Sequence, residues 1–340
     1  MENTEINLVQ SIVEIAKDYQ GGGVVTVSRV KKWIEQFDSQ YHVPILTELS
    51  NILGKTYVSK EVITNFFEIF LGEKRIFCDS ILKYQFINPQ TIGNSQKELL
   101  SVLDRIIQEK YNISISECGK EDVLSYIYID DGIYSGNRVI RDLQNWSRSF
   151  EDVSDVSRVD IVVLAIHNRN IGYIKKELEK VLPKTKFHFW RVLEFEDSIR
   201  DCKYKYESYW PSAEMDYASS TIEYLDGIID TRSDLQNAKI PLLRRNGEPN
   251  SDDFFTNPTN RSIVEKAFLE KGVEIVTYAT NPNPNMRPMG YDNSRTIGFG
   301  SYFVTYRNIA NNCPVVLWWG DPEADTGVNN WYPLFPRITN

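Results

Sequence analysis

The chain has 340 residues, and its 38 lysines and arginines face 47 aspartates and glutamates, a formal net charge of −9. That acidic balance argues against a nucleic-acid partner and against adhesion to an anionic membrane surface. Hydrophobic residues make up 41% and charged residues 25%, a globular composition, and no apolar run approaches a membrane span.

The first ten residues, MENTEINLVQ, carry acids where a signal peptide needs basic residues, so a cytoplasmic location is expected. Cys78, Cys118, Cys202 and Cys313 are far apart, and no CxxC or HExxH is present. A structural zinc site is therefore not expected.

Residues 1–72 read as a helical subdomain. Ile6, Val9, Ile12, Val13 and Ala16 recur at helical steps, and Gly21-Gly22-Gly23 breaks the pattern. Ser28 is placed to cap a second helix through Trp33 and Phe37. A third ends at Gly54, and a fourth runs from Ser59 to Gly72. These helices also admit a helix-turn-helix reading, but no dense basic face supports it.

Residues 73–210 read as an α/β core. A first strand is expected at 75–78, then a loop over 86–97. Ser95 and Glu98 then make a capping box for a helix carrying Leu99, Leu100, Leu103, Ile106 and Ile107. A short strand is expected at 113–115.

Residues 123–146, VLSYIYIDDGIYSGNRVIRDLQNW, are the most informative stretch. Val123, Leu124, Ile127 and Ile129 form an apolar run, and Tyr126 and Tyr128 suit a strand. Asp130 and Asp131 are expected to end it, with Gly132 allowing a sharp turn. Ser135-Gly136-Asn137 can present backbone N–H groups, and Val139, Ile140, Leu143 and Trp146 then recur at helical spacing. A loop feeding a helix N-terminus favours an anion through its free N–H groups and the helix dipole.

This stretch resembles the phosphoribosyl-diphosphate (PRPP) signature of type I phosphoribosyltransferases: a hydrophobic strand, two acids, a short linker, a phosphate loop and a helix. The resemblance implies that Asp130 and Asp131 hold the ribose hydroxyls, as the catalytic acids. It implies that Gly132, Ser135, Gly136, Asn137 and Arg138 cradle the 5′-phosphate. Asn137 stands where the family often has Gly, and Arg138 where it often has Thr. Gly93, Asn94, Ser95 and Lys97 lie where a pyrophosphate loop would come, although an ordinary helix cap is the plainer reading. Mg²⁺ would enter through the substrate's diphosphate.

Beyond the signature, residues 160–167 form a continuous apolar run, as for a strand buried on both faces. A helix follows with Ile171, Ile174, Leu178 and Val181, and another strand is expected at 186–192. Strand–helix alternation argues a doubly wound, mostly parallel α/β sheet with right-handed crossovers. His167 ends the strand beside the acids and is the histidine to watch, though a packed residue is the default.

Residues 211–340 read as a C-terminal extension. Ser262 and Glu265 suggest a capping box, Gly272 a helix stop, and 273–278 a strand. The proline-rich stretch 281–288 suits neither helix nor central strand. Gly298-Phe299-Gly300 and the closing Asn311-Asn312-Cys313-Pro314 with Trp318 resemble a phosphoribosyltransferase-like family of bacterial conflict, or anti-phage, systems. The tail aromatics are expected to form a lid or a cluster against the sheet.

The resemblance implies a PRPP-binding effector or sensor with a ribose-phosphate or nucleotide ligand and partner proteins from a defence operon. The alternative is an inactive sensor module that acts on a partner. No GxGxxG or GxxxxGK[ST] follows a strand.

Overall fold

A computed structural model of the chain describes residues 2–90, 95–120, 122–196, 206–232, 241–245, 254–278, 283–293, 295–321, 323 and 327–338. Helices α1 (Glu2–Ile15), α2 (Val27–Ile34), α3 (Ser39–Thr56) and α4 (Lys60–Leu71) come first. Then follow β1 (Tyr84–Ile87), α5 (Ser95–Tyr111), β2 (Ser125–Ile133), α6 (Asn137–Ser147), β3 (Arg158–His167), α7 (Ile171–Val181) and β4 (Lys186–Glu196). The last elements are β5 (Tyr206–Glu207), α8 (Ser219–Arg232), α9 (Pro258–Thr277) and the short α10 (Val315–Trp318).

The chain divides into two compact units, Lys60–Glu194 on one hand and Met1–Ser59 with Phe195–Thr339 on the other. These boundaries differ from 1–72, 73–210 and 211–340. α4 packs on α5 and belongs with the sheet, whereas α3 packs on α9 of the C-terminal half.

The unit Lys60–Glu194 is an α/β layer with β1, β2, β3 and β4 side by side in chain order. β1–β2 and β2–β3 pair in parallel, with Phe86 opposite Ile127 and Asp130 opposite Val163. On one face Tyr126, Tyr128, Val159, Ile161 and Val163 meet Val139, Ile140 and Leu143 of α6 and Ile174 and Leu178 of α7. Ile127, Ile129, Val162 and Leu164 have the opposite parity and are buried as well. Both faces are thus covered, as the uninterrupted apolar runs require.

Several local expectations are corrected. β1 lies at Tyr84–Ile87, not at 75–78, where Arg75 instead lies over the Trp190 ring at 5.4 Å. Residues 115–117 form a 3₁₀ turn closed by a capping box between Ser114 and Glu117, not a strand. Thr26 rather than Ser28 caps α2.

In the other unit, α1 packs on α2 and α3, and α9 packs on α3, α8 and α10. Trp33 and Trp331 both donate their indole N–H to the Val316 carbonyl, at 2.7 and 2.9 Å. Phe37 lies edge-on to Trp331 at 5.4 Å. Trp331 thus closes the core around α2, while Tyr302 of the tail lies edge-on to Phe195 of β4 at 5.1 Å. α9 continues through residues 273–277, so the expected strand there is helix. Gly272 does not stop it: a Cβ there would stand 2.8 Å from the Pro288 Cβ, so glycine permits close packing. Nor is Ser262 the cap. Asn257 caps α9, and Glu265, fully buried, accepts from Trp210 N–H, Arg261 and Arg244.

Candidate functional site

The acids do not end their strand. β2 runs on through Asp130, Asp131 and Gly132 to Ile133, with Gly132 opposite Ala165. The sharp turn comes later, at residues 134–136. Successive side chains in a strand point to opposite faces, so Asp130 and Asp131 diverge. Asp130 turns inward and is 4% exposed, whereas Asp131 is half-buried.

Three donors converge on Asp130. Its Oδ1 accepts from the Ser95 hydroxyl at 3.1 Å and from the Asp131 backbone N–H at 2.9 Å. Its Oδ2 accepts from the Tyr128 hydroxyl at 3.2 Å. That pattern suits a carboxylate, which only accepts. The Tyr128 hydroxyl also lies 3.1 Å from Oδ2 of Asp142 on α6. Burial first, then the neighbouring Asp130 and Asp142, pushes the Tyr128 phenol far above its ordinary value and keeps it protonated. Burial, and then the charge of Asp130, also raises Asp142, against the opposing pull of Tyr128, Arg141 and Arg138.

The turn that follows is built around Gly136. Its φ of +81° lies in the left-handed region, and a Cβ there would stand 2.3 Å from Cγ1 of Ile174 on α7. Both facts restrict the position to glycine. Gly136 is also the N-cap of α6 and, having no side chain, makes no cap hydrogen bond itself. The Asn137 N–H meets the Ser135 hydroxyl at 3.4 Å, and Asn137 and Arg138 are exposed at the helix start. The turn is braced by Asn170, in the 3₁₀ turn after β3, which donates to the Tyr134 carbonyl at 3.0 Å.

The start of α5 is drawn to the same edge of the sheet. Ser95, read as a cap, spends its hydroxyl on Asp130. Gln96 donates to the Ile129 carbonyl at 2.7 Å and accepts from the Gln90 N–H at 3.2 Å. Lys97 is exposed. Gly93 and Asn94 lie outside the described residues.

His167 is not at the surface of this site. It is fully buried, and its Nδ1 accepts from the Arg169 N–H at 3.4 Å, capping the turn after β3. Burial, with Arg169 adding to it, holds its pKa well below 6.5. Among the described residues no cluster of three or more His, Cys, Asp or Glu side chains is placed to hold a metal ion.

Tyr128, Asp142 and Gln96 were not singled out by sequence reading. Asp142 carried a signal, since it is an acid on the apolar stripe of Val139, Leu143 and Trp146, where a buried carboxyl needs a partner.

The PRTase-CE family model matches residues 30–337. The chain belongs to that family and is a phosphoribosyltransferase-like protein. No curated protein and no solved structure matches it. Among the described residues no helix is long and apolar enough to cross a membrane.

Proposed function

We propose that the chain binds PRPP at the carboxyl edge of β2, with the turn 134–138 receiving the 5′-phosphate. The observation that carries this reading is the glycine-capped start of α6. There Gly136 in the left-handed conformation opens the helix behind an acid-bearing strand, with Arg138 exposed beside it. First-turn N–H groups and the helix dipole favour a phosphate, and a guanidinium adds a charge-assisted hydrogen bond.

In this reading Gly132, Ser135, Gly136, Asn137 and Arg138 hold the phosphate. Asp131 accepts from the ribose hydroxyls, and Asp130, held by Ser95 and Tyr128, supplies fixed negative charge beside them. Ser95 and Lys97, with Gly93 and Asn94, would face the diphosphate. Because Asp130 and Asp131 point to opposite faces of β2, these two do not form a chelating carboxylate pair. That donor set suits a Mg²⁺ carried in by the substrate's diphosphate. When bound, the ion would neutralise the leaving diphosphate. Displacement of pyrophosphate from PRPP builds positive charge on the ribose, and preoriented carboxylates stabilise it without a protein base.

A second reading, a sensor that binds without turnover, is favoured by one observation. Asp130 is nearly buried and already accepts three hydrogen bonds, so it is not open to a ligand hydroxyl in this state. A role as an effector or sensor in anti-phage defence, with partners from a defence operon, rests on the resemblance of the 298–300 and 311–318 motifs.

Isothermal titration with PRPP and Mg²⁺ tests the reading. Wild type should bind, and Asp131→Asn should bind at least tenfold more weakly with an unchanged thermal midpoint. Pyrophosphate release on adding candidate acceptors would separate enzyme from sensor. Absence of binding by wild type would overturn the reading.

A further inference from the structure

The Tyr128 hydroxyl stands between two buried carboxyl groups. It is 3.2 Å from Oδ2 of Asp130 and 3.1 Å from Oδ2 of Asp142, and it carries a single hydrogen. One hydrogen shared between two carboxylates makes two weak bonds, and both contacts are long for O–H···O. Each gains a hydrogen of its own when one carboxyl group carries a proton and donates it to the phenol oxygen.

The surroundings decide which. Asp130 already accepts from Ser95 and from the Asp131 backbone N–H. Asp142 is 5% exposed, and its nearest cation, the Arg141 guanidinium, is 3.8 Å away with its own side chain 65% exposed. The charged groups acting on Asp142 are Asp130 and, from α6 itself, Arg141 and Arg138. From other elements come neutral groups: Tyr128 of β2, the Gln90 carboxamide that acts on Tyr128, and Ile174 of α7 against the adjoining turn. A buried carboxyl group that faces a carboxylate, and whose cation at 3.8 Å is mostly in solvent, is the one that takes the proton.

We infer that Asp142 is a buried, neutral carboxylic acid that donates to Tyr128, which in turn donates to Asp130, so that the two act as positioning residues for the Asp130 carboxylate. The chain is Asp142 O–H to phenol oxygen, and phenol O–H to Asp130 Oδ2. Hydrogen bonds in series polarise one another, so Asp130 is held more firmly than by a lone tyrosine.

The test begins with the unliganded protein. A difference infrared spectrum at neutral pH, wild type minus Asp142→Asn, should show the carbonyl stretch of a protonated carboxylic acid. In Tyr128→Phe that band should shift, because its acceptor is gone. A difference containing only carboxylate bands would overturn the inference, as would an acid band unmoved in Tyr128→Phe. Wild type that shows the acid band but no PRPP binding would support the relay while removing the PRPP reading.

Discussion

At the residue scale, Gly136 is the position where sequence and geometry agree most closely. A Ser-Gly-Asn loop before a helical stripe signals a turn with a positive φ, and the structure supplies it, with Ile174 closing the space a side chain would need. Gly136→Ala should cost about 1–3 kcal/mol, by left-handed strain and overpacking together. A urea unfolding midpoint equal to wild type would contradict this. Asp142 was legible only as an acid on an apolar stripe; its partner Tyr128 looked like an ordinary strand residue. Because burial raises Asp142 in the folded state, its contribution to stability is complete below the ordinary carboxylate value of 3.8 and is lost as pH rises through the raised value. Wild type should therefore lose stability relative to Asp142→Asn as pH rises from acid toward neutral, and parallel profiles would count against it. His167 has the opposite sense. Its depressed folded value means that stability is lost as pH falls below about 6.5, where the unfolded imidazole takes up a proton. Thermal melts of wild type and His167→Asn from neutral pH downward should diverge in that way.

At the element scale, continuous apolar runs and helical stripes identified β2, β3, α5, α6 and α7 because those elements are buried in the pattern their periods require. Boundaries were less legible. β2 carries its acids inside the strand because Ser95, Tyr128 and a backbone N–H satisfy Asp130 there, and of these Ser95 comes from a position far away in sequence. The run 273–278 is rich in β-branched residues, yet packing of α9 on α3 and α8 overrides that local preference. Leu143, with no exposed surface on α6, should cost about 2–5 kcal/mol when changed to Ala. Glu265→Gln on α9 should cost about 3–5 kcal/mol, since Arg261, 2% exposed, would lose its buried counter-charge. Chemical denaturation of the two variants measures both losses, and a change under 1 kcal/mol in either would refute the packing assigned to it.

At the scale of the whole molecule, chain order did not reveal which segments fold together. The first three helices keep company with the C-terminal half, and the fourth with the sheet. Such long-range partnerships depend on α3 meeting α9 and on tryptophans 33 and 331 sharing one carbonyl, neither of which leaves a local signature. The signature stretch was legible because strand, turn and helix start are all local, and its family membership extends over residues 30–337. The central claim is that the turn 134–138 is where a ribose phosphate binds. The most direct test is a titration of isotope-labelled protein with ribose 5-phosphate, following backbone amide resonances. The amides of residues 135–139 should shift first and saturably, and Asp131→Asn should weaken the effect. Saturable shifts confined to residues outside the unit Lys60–Glu194, or none at all, would contradict it.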